Sequence, residues 1–293
     1  MKKIRLALGF IVALLAAGGA GAWHAPGHEL AVRLALEALP EDAPAFFREG
    51  GALAEHVSVD PDLFRPRALP QLRAAEAPEH YMDMELLERA ALPPTRYEFL
   101  RLCAERGLDP AKVGTLPYAV AEWTQRLAVA LAEHRAWPGN EQVRAKCLVY
   151  AGLLSHYAAD LTQPLHTTVH FDGRVGEDGR SPRTGIHQRA DALLHKVPDA
   201  GRLAARLGPQ AMDDLWEGVL AELRSSHALV DKVYELEEGL PGMDEPLRPG
   251  SPEAAFAEER LAATARFLGS LYLTAWKLSG ELPLPEWHRR NGG

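Results

Sequence analysis

The chain has 293 residues, of which 47% are hydrophobic and 25% are charged, and its formal net charge is −8 at pH 7. This length suits one domain with a substantial core, or two small ones. The negative net charge argues against a protein that coats duplex nucleic acid, because such binding needs a basic surface. It does not exclude an enzyme that holds one or two phosphates through metal ions.

The first residues are typical of an export signal. Three basic residues precede an uncharged apolar run over residues 6–17, and small residues at 20–22 suit a signal peptidase. The apolar run is shorter than the roughly 20 residues that a membrane-spanning helix needs. We therefore expect residues 1–22 to be a cleaved signal peptide. Residues 23–293 would then form a single exported domain, either periplasmic or secreted.

Helical periodicity dominates the rest of the chain. Apolar residues recur at helical spacing, and prolines and glycines mark the ends of these segments. The pattern predicts five long helices, over residues 30–38, from Pro117 onward, 141–161, about 209–238 and 252–279. No stretch shows sustained period-two alternation, and no repeat is present, so we predict an all-α, mainly helical fold.

Two segments are predicted to be loops. Residues 61–78 are expected to form a loop with one short helix. Phe171–Gly185 contains four glycines, several charges and no helical face. A loop of that length inside a compact domain is usually functional or disordered. Its position between two groups of potential metal ligands favours a functional loop.

Cys103 and Cys147 are the only cysteines. In an oxidising compartment they could form a disulfide, and two buried free thiols are the alternative. Neither lies among the potential metal ligands.

The third predicted helix carries the first chemical signal. It is apolar on almost every face, which predicts burial on all sides, yet it contains His156 and Asp160 four residues apart and therefore on one face. A carboxylate does not stay ionised in an apolar interior without a partner or a metal. His166 follows the end of this helix, and His187 and Asp191 repeat the four-residue spacing. Because imidazole and carboxylate suit Zn²⁺, the two pairs favour a zinc site over two structural pairs in a core.

Further candidates of the same residue types lie upstream. A free amine and its own carbonyl at the predicted mature terminus can chelate a metal, whereas carboxylates beside a proline usually cap turns. The upstream candidates are Trp23, His28, Asp60, Asp62, Arg65, His80, Tyr81 and Asp83.

Together these motifs resemble one superfamily, which contains the single-strand-specific zinc nucleases of fungi and plants and the bacterial zinc-dependent phospholipases C. The motifs are Trp-x-x-x-Gly-His at 23–28, His-Tyr-x-Asp at 80–83, His-x-x-x-Asp-x-x-Gln-Pro-Leu-His at 156–166 and His-x-x-x-Asp at 187–191. The resemblance covers the mature chain to about residue 195, and the C-terminal helices fit the superfamily only in kind.

The resemblance implies three zinc ions. The implied ligand sets are Asp62, His80, His156 and Asp160 for one ion, His166, His187 and Asp191 for a second, and Trp23 through its amine and carbonyl, His28 and a shared Asp160 for the third. Asp60 is the alternative to Asp62. We prefer Asp62 because Arg65 then lies three residues further on, as the phosphate-facing arginine of the family does.

The resemblance also implies hydrolysis by a metal-activated water, with Asp62 and Arg65 at the catalytic centre and no side-chain nucleophile. Tyr81 and Asp83 match positions that, in the nucleases, stack on a base and hydrogen-bond to its edge. Packing in the core and capping of a helix are the ordinary alternatives for these two residues. Ala190 departs from the pattern, because the nucleases have a tryptophan there.

The leading interpretation is a zinc-dependent nuclease that acts on single-stranded nucleic acid or nucleotides. The features that favour it are the five-residue step from Trp23 to His28, an aspartate rather than a glutamate at 191, and the Tyr81-x-Asp83 pair. A phospholipase C acting on phospholipid head groups is the alternative, and an exported zinc-binding protein without activity is a third. No motif indicates an obligate protein partner, a P-loop or a serine-hydrolase elbow.

Export processing is predicted to complete the metal site. Trp23 gains a free α-amine only on cleavage, and an amine with a pKa near about 8 yields its lone pair far more readily than a peptide nitrogen does. A chain with two extra residues before Trp23 should therefore bind about one zinc ion fewer, keep its helical fold and lose most of its turnover. Zinc stoichiometry and rate, compared with a chain that starts at Trp23, test this. Equal values would contradict the role of the amine and leave a two-metal site.

Overall fold

The computed structural model describes residues 23–88 and 90–288. The signal-peptide prediction for residues 1–22 falls outside these ranges, and the single-domain organisation of residues 23–293 stays a prediction. The regular secondary structure of the described ranges is helical. They contain one isolated bridge, between Phe171 and Gly173, and no strand. The predicted all-α fold is therefore confirmed. Every helix in these ranges is too short or too polar to cross a membrane.

Thirteen α-helices and six short 3₁₀ segments lie within the described ranges. In chain order the α-helices are α1 (Ala25–Glu37), α2 (Phe46–Glu49), α3 (Gly51–Val57), α4 (Asp60–Leu63), α5 (Pro70–Glu76), α6 (Arg96–Arg106), α7 (Pro110–Val113), α8 (Leu116–Ala136), α9 (Glu141–Thr162), α10 (Ile186–Asp191), α11 (Leu215–His227), α12 (Val230–Glu235) and α13 (Pro252–Ser279). The 3₁₀ segments are Ala77–His80, Met84–Leu87, Pro164–Thr167, Leu194–Lys196, Ala200–Arg206 and Glu237–Gly239.

The three longest helices, α8, α9 and α13, pack against one another and form the frame of the core. α1 packs on α13 and α3, and α3 packs on α9. α9 begins where the Asn140 side chain accepts a hydrogen bond from the amide of Val143, and it ends before Pro164. Its second half is buried throughout, as its apolar sequence predicts, so His156 and Asp160 lie in the interior.

The bounds predicted for the helix over residues 209–238 are wrong, because the structure has two shorter helices there, α11 and α12. The chain follows no helix from Pro209 until Asp214 caps α11, and it breaks again between α11 and α12. The amides of Gln210 and Met212 instead donate to the hydroxyls of Ser270 and Thr274 on α13, at 3.1 and 2.8 Å. Because these side chains satisfy the backbone, the segment needs no helix of its own.

The other long helices match their predictions within a turn or two, and α6 was not predicted. Only Phe99 and Cys103 of α6 are buried, so its apolar stripe is too sparse to be detected in the sequence.

Residues 61–78 are more helical than expected, because they contain α5 as well as most of α4. Phe171–Gly185 contains no helix, as predicted. Cys103 and Cys147 are both buried free thiols, so the disulfide alternative is not formed.

Gly152 sets the distance between α9 and α3. A Cβ atom at this position would lie 2.6 Å from the carbonyl oxygen of Ala54 and 2.8 Å from Cβ of Val57. Gly152→Ala should lower the free energy of unfolding by about 1–2 kcal/mol, because overpacking outweighs the gain that alanine brings to a helix interior. Denaturant titration measures this. Gly139→Ala is the control, since no atom lies within 4 Å of its Cβ position. Equal losses would contradict the close-packing argument.

Candidate metal centre

Eight histidine and aspartate side chains from six elements meet beside the second half of α9. They form three groups, in each of which one potential ligand atom per residue lies within 4.8 Å of the others. The groups are His28, His156 and Asp160, then Asp62, His80 and His156, and finally His166, His187 and Asp191. The structure thus brings together all of the sequence-predicted histidine and aspartate ligands except the alternative Asp60.

Asp160 lies at the centre of these groups and is 0% exposed. Its Oδ1 atom is 3.5 Å from Nε2 of His28. Its Oδ2 atom is 3.0 Å from Nδ1 of His80, 3.5 Å from Nε2 of His156 and 3.8 Å from Nδ1 of His166. Burial raises the pKa of Asp160 well above its usual range, and neighbouring carboxylates add to the effect. Arg65, the cation beside the cluster, lowers this pKa only in part.

Backbone carbonyl groups decide which ring nitrogens face the cluster. Nδ1 of His156 donates to the carbonyl oxygen of Ser58 at 2.8 Å, and Nδ1 of His166 donates to that of His80 at 2.6 Å. The Nε2 lone pair of each ring is therefore left for another partner. A carbonyl behind an imidazole in this way fixes the tautomer and the ring orientation of a metal-binding histidine.

Seven buried polar atoms of the cluster have no hydrogen-bond partner among the described residues, and this fits a metal. The unpartnered atoms are both ring nitrogens of His28 and His187, Nε2 of His80 and His166, and Oδ1 of Asp160. Such atoms are costly to bury, and native structures rarely tolerate several together. Burial also lowers the pKa of His28 to about 3 and that of His187 to about 4. Both rings are therefore neutral, which is the form that binds a metal.

The third group is held by polar contacts of its own. Nε2 of His187 lies 3.4 Å from Oδ2 of Asp191, and its ring meets that of His166 edge-on, with centroids 5.0 Å apart. The amide of Gln163 donates to Oδ1 of Asp191, which gives a physical role to the glutamine of the Gln-Pro-Leu-His motif. The amide of His24 donates to the carbonyl oxygen of Asp191 at 3.1 Å. The start of the described chain is thereby tied to this group.

Trp23 is buried beside the cluster rather than exposed at a free end. Its indole Nε1 donates to the carbonyl oxygen of Ala159 at 2.9 Å, and the residue is 1% exposed. Ala159 directly precedes Asp160 in α9. The side chain therefore anchors the predicted mature terminus close to the central carboxylate.

Asp62, and not Asp60, faces the histidines. Oδ1 of Asp62 lies 3.9 Å from Nε2 of His156 and 4.0 Å from Nδ1 of His80. Asp60 belongs to none of the three groups. Arg65 forms an ion pair with Asp62, so the arginine lies beside the cluster, three residues after the aspartate.

A cavity of about 1220 Å³ opens onto the cluster. Asp62, His80, His166 and His187 reach its wall. Five cationic side chains also line it, of which Arg65 is paired with Asp62. Within the described ranges, the other four have no carboxylate within 4.0 Å: Arg73, Lys112, Arg180 and Arg183. Positive charge is thus concentrated here although the chain as a whole is negative.

Tyr81 and Asp83 both line this cavity. The hydroxyl of Tyr81 donates to the carbonyl oxygen of Ala111, which fixes the position of the ring. Asp83 precedes the 3₁₀ segment Met84–Leu87 but makes no side-chain capping hydrogen bond. Burial raises the pKa of Asp83 to about 7, with a further contribution from Glu85. A large fraction of this carboxyl group is therefore protonated near neutral pH and able to donate a hydrogen bond.

Several residues at the site were not predicted from the sequence. Phe171 lines the cavity, and its ring centroid lies 5.6 Å from that of His187. Its signal was an aromatic residue at the start of an otherwise polar, glycine-rich loop. Glu76 lies 3.6 Å from Nε2 of His80, and its only signal was a four-residue spacing within a helical segment. The unpaired cations Arg180 and Arg183 lie in the loop that was predicted to be functional.

Comparisons with known proteins give distant likenesses. No family model matches the chain. A protein of Bradyrhizobium tropiciagri named as a probable serine protease is 28% identical over 204 residues, which cover 59% of this chain and 25% of that protein. The chain therefore spans about a quarter of the length of the curated relative it matches.

Two clostridial toxins are similar among solved structures. The alpha toxin of Clostridium absonum has a TM-score of 0.40 at 16% identity, covering 85% of this chain and 62% of the toxin. The alpha-toxin of an avian strain of Clostridium perfringens has a TM-score of 0.38 at 12% identity, covering 89% of this chain and 65% of the toxin. The chain spans less than two thirds of either toxin.

The central position of Asp160 leads to a prediction about metal content. Asp160→Ala should lose zinc and activity together, because this one carboxylate lies against four of the cluster histidines. Asp60→Ala is the matched control and should do little, since Asp60 belongs to no group. Elemental analysis of purified protein decides between the outcomes. Full zinc occupancy in Asp160→Ala would show that Asp160 does not bridge the groups.

Proposed function

We propose that this chain is an exported zinc-dependent phosphodiester hydrolase and that it cleaves single-stranded nucleic acid or nucleotides. One observation carries the proposal: a buried cluster of neutral imidazoles and carboxylates with unpartnered polar atoms lies against a cavity that is lined by unpaired cations. Neutral imidazoles and carboxylates are the ligands that zinc takes in hydrolytic sites. A cationic cavity suits a substrate whose phosphates are negatively charged.

The cluster is proposed to hold three zinc ions. The residues that would hold them are Asp62, His80, His156 and Asp160 for the first, His166, His187 and Asp191 for the second, and the amine and carbonyl of Trp23, His28 and a shared Asp160 for the third. When bound, such ions activate water and neutralise charge on a phosphate. Eight side chains offer few ligands for three closed four-coordinate shells, so positions remain for water and substrate.

The residues around the cluster would bind and orient the substrate. Arg65 lies at the cavity wall beside Asp62, where a guanidinium stabilises the equatorial oxygens of a phosphate. The fixed ring of Tyr81 and the exposed ring of Phe171 offer faces for a nucleobase. Asp83, protonated in part, can donate to an acceptor on the edge of that base.

The unpaired cations favour a substrate with several phosphates over a phospholipid. A choline head group carries a positive charge, which unpaired arginines and lysines repel, and it brings only one phosphate. A strand of nucleic acid presents a phosphate with every nucleotide. A second cavity, of about 490 Å³, continues past Tyr81 and is lined by Arg67 and Arg73. It would give such a strand room beyond the cluster.

A phospholipase C remains the second candidate because of exposed leucines near the site. Leu63 is 69% exposed and Leu69 is 53% exposed, and both flank the segment that carries Arg65. Apolar side chains interleaved with arginines suit the surface of a lipid bilayer. A phospholipid substrate is therefore an arm of the test below.

Serine-protease chemistry is not proposed for this site. The relative that bears that name is matched over a quarter of its length. In the described part of this chain the cluster histidines face carboxylates, backbone carbonyls and one another. The Ser58 contact of His156 is made by the backbone oxygen, while the Ser58 hydroxyl donates to the carbonyl of Glu55.

Activity assays on three substrates test the proposal. The zinc-loaded chain should cleave single-stranded DNA, act more slowly on duplex DNA and leave phosphatidylcholine vesicles intact, and a chelator should abolish cleavage. Arg180→Gln combined with Arg183→Gln should raise KM with little change in kcat. The slope of log(kcat/KM) against the logarithm of the salt concentration should also become less negative, by about 0.7 for each phosphate that the variant no longer neutralises.

Arg101→Gln is the control for these variants, because Arg101 is exposed and lies 3.9 Å from Glu105 on α6, away from the cavity. Hydrolysis of phosphatidylcholine without cleavage of DNA would replace the nuclease with the phospholipase. Full zinc occupancy without activity on either substrate would identify a zinc-binding protein instead.

A further inference from the structure

His80 faces two different environments through its two ring nitrogens. Nδ1 lies 3.0 Å from Oδ2 of Asp160 and 3.0 Å from Nε2 of His156, so it points into the cluster. Nε2 points away from the cluster and lies 3.6 Å from Oε1 of Glu76. Among the residues that the structure describes, no carbonyl oxygen fixes this ring in the way that one fixes His156 and His166.

Glu76 is itself held in place from α9. The hydroxyl of Tyr157, which is 2% exposed, donates to Oε1 of Glu76, the same oxygen that faces His80. Tyr157 directly follows His156 in α9. The Glu76 side chain is 13% exposed, and within the described ranges no lysine or arginine lies within 4.0 Å of it. A half-buried carboxylate without a cationic partner needs another reason for its position.

The tautomer of His80 supplies that reason. If the proton is on Nδ1, it is donated to Asp160, and the ring has no lone pair for a metal in the cluster. If the proton is on Nε2, the lone pair of Nδ1 faces the cluster, and Nε2–H needs an acceptor outside it. The carboxylate of Glu76 is the acceptor that the structure places on that side, with Oε1 3.6 Å from Nε2, slightly beyond hydrogen-bond distance.

We propose that Glu76 is a positioning residue, which acts through His80 and is held by Tyr157. Its carboxylate keeps the His80 proton on Nε2 and so presents Nδ1 to the metal. Carboxylate–histidine pairs of this kind raise the basicity of the ligand and orient its ring. The inference rests on the proposed zinc site, and it adds a carboxylate and a tyrosine that are not themselves ligands.

Zinc affinity measured by competition with a chromophoric chelator tests the proposal. Glu76→Ala should weaken binding at the affected site by about 10- to 100-fold, and Glu76→Gln by less, since an amide oxygen still accepts the hydrogen bond. Tyr157→Phe should act in the same direction and more weakly. In the zinc-loaded wild-type chain, NMR of the histidine rings should show the His80 proton on Nε2, and this signal should be lost in Glu76→Ala.

Two control variants separate positioning from packing. Glu79→Gln alters another carboxylate in the 3₁₀ segment that contains His80. The Glu79 side chain is 17% exposed, similar to that of Glu76, but it is paired with Arg96. Tyr118→Phe removes another buried tyrosine hydroxyl, which donates to the carbonyl of Pro93 at 2.9 Å. Both should lower stability more than they lower zinc affinity. Losses of affinity equal to those of the Glu76 and Tyr157 variants would overturn the proposal.

The outcomes also distinguish this inference from the proposed function. Wild-type affinity in Glu76→Ala would overturn the role of Glu76 while leaving the hydrolase untouched. A wild-type chain that binds zinc but hydrolyses neither substrate would overturn the hydrolase, and the titration would still decide about Glu76. A wild-type chain that binds no zinc would overturn both.

Discussion

The burial of Asp160 is the constraint on which the rest of the site depends. A fully buried carboxylate needs compensation, and here four imidazoles rather than a lysine or arginine surround it. Neutral imidazoles do not cancel a negative charge, and Arg65, the cation beside the cluster, is already paired with Asp62. Burial of the whole second half of α9 excludes water from this position. The same packing that stabilises the fold therefore creates the demand for a cation.

The sequence predicted the parts of the site that follow from helical geometry. A spacing of four residues puts His156 beside Asp160 on α9 and His187 beside Asp191 on α10, whatever surrounds these helices. The choice between Asp60 and Asp62 was beyond this reasoning. Two residues along an α-helix correspond to a rotation of about 200°, so Asp60 and Asp62 point to nearly opposite sides of the one-turn helix α4. Which of the two sides faces the histidines depends on how α4 packs. The preference for Asp62 came from the resemblance and not from periodicity.

The parts that sequence reasoning missed are set by contacts between distant segments. Glu76 was unremarkable because its partners, His80 and Tyr157, meet only after α5 has packed near α9. Helical periodicity predicts a helix that starts at Pro209, but hydroxyl groups of α13 satisfy the backbone of this segment instead. The net charge of the chain also does not predict the charge of the cavity. The chain carries −8, yet arginines and a lysine without carboxylate partners line one cavity.

The three groups differ in how they meet this cavity. Two groups form part of its wall, one through Asp62 and His80 and the other through His166 and His187. The remaining group, His28, His156 and Asp160, is not among the lining residues and lies behind that wall. A phosphate in the cavity would therefore lie next to the two wall groups. The group of His28, His156 and Asp160 does not reach the wall, and it shares His156 with the group of Asp62 and His80. If the proposed function holds, the two wall groups would contact the substrate directly, and the group of His28, His156 and Asp160 would act through the residues that it shares with them.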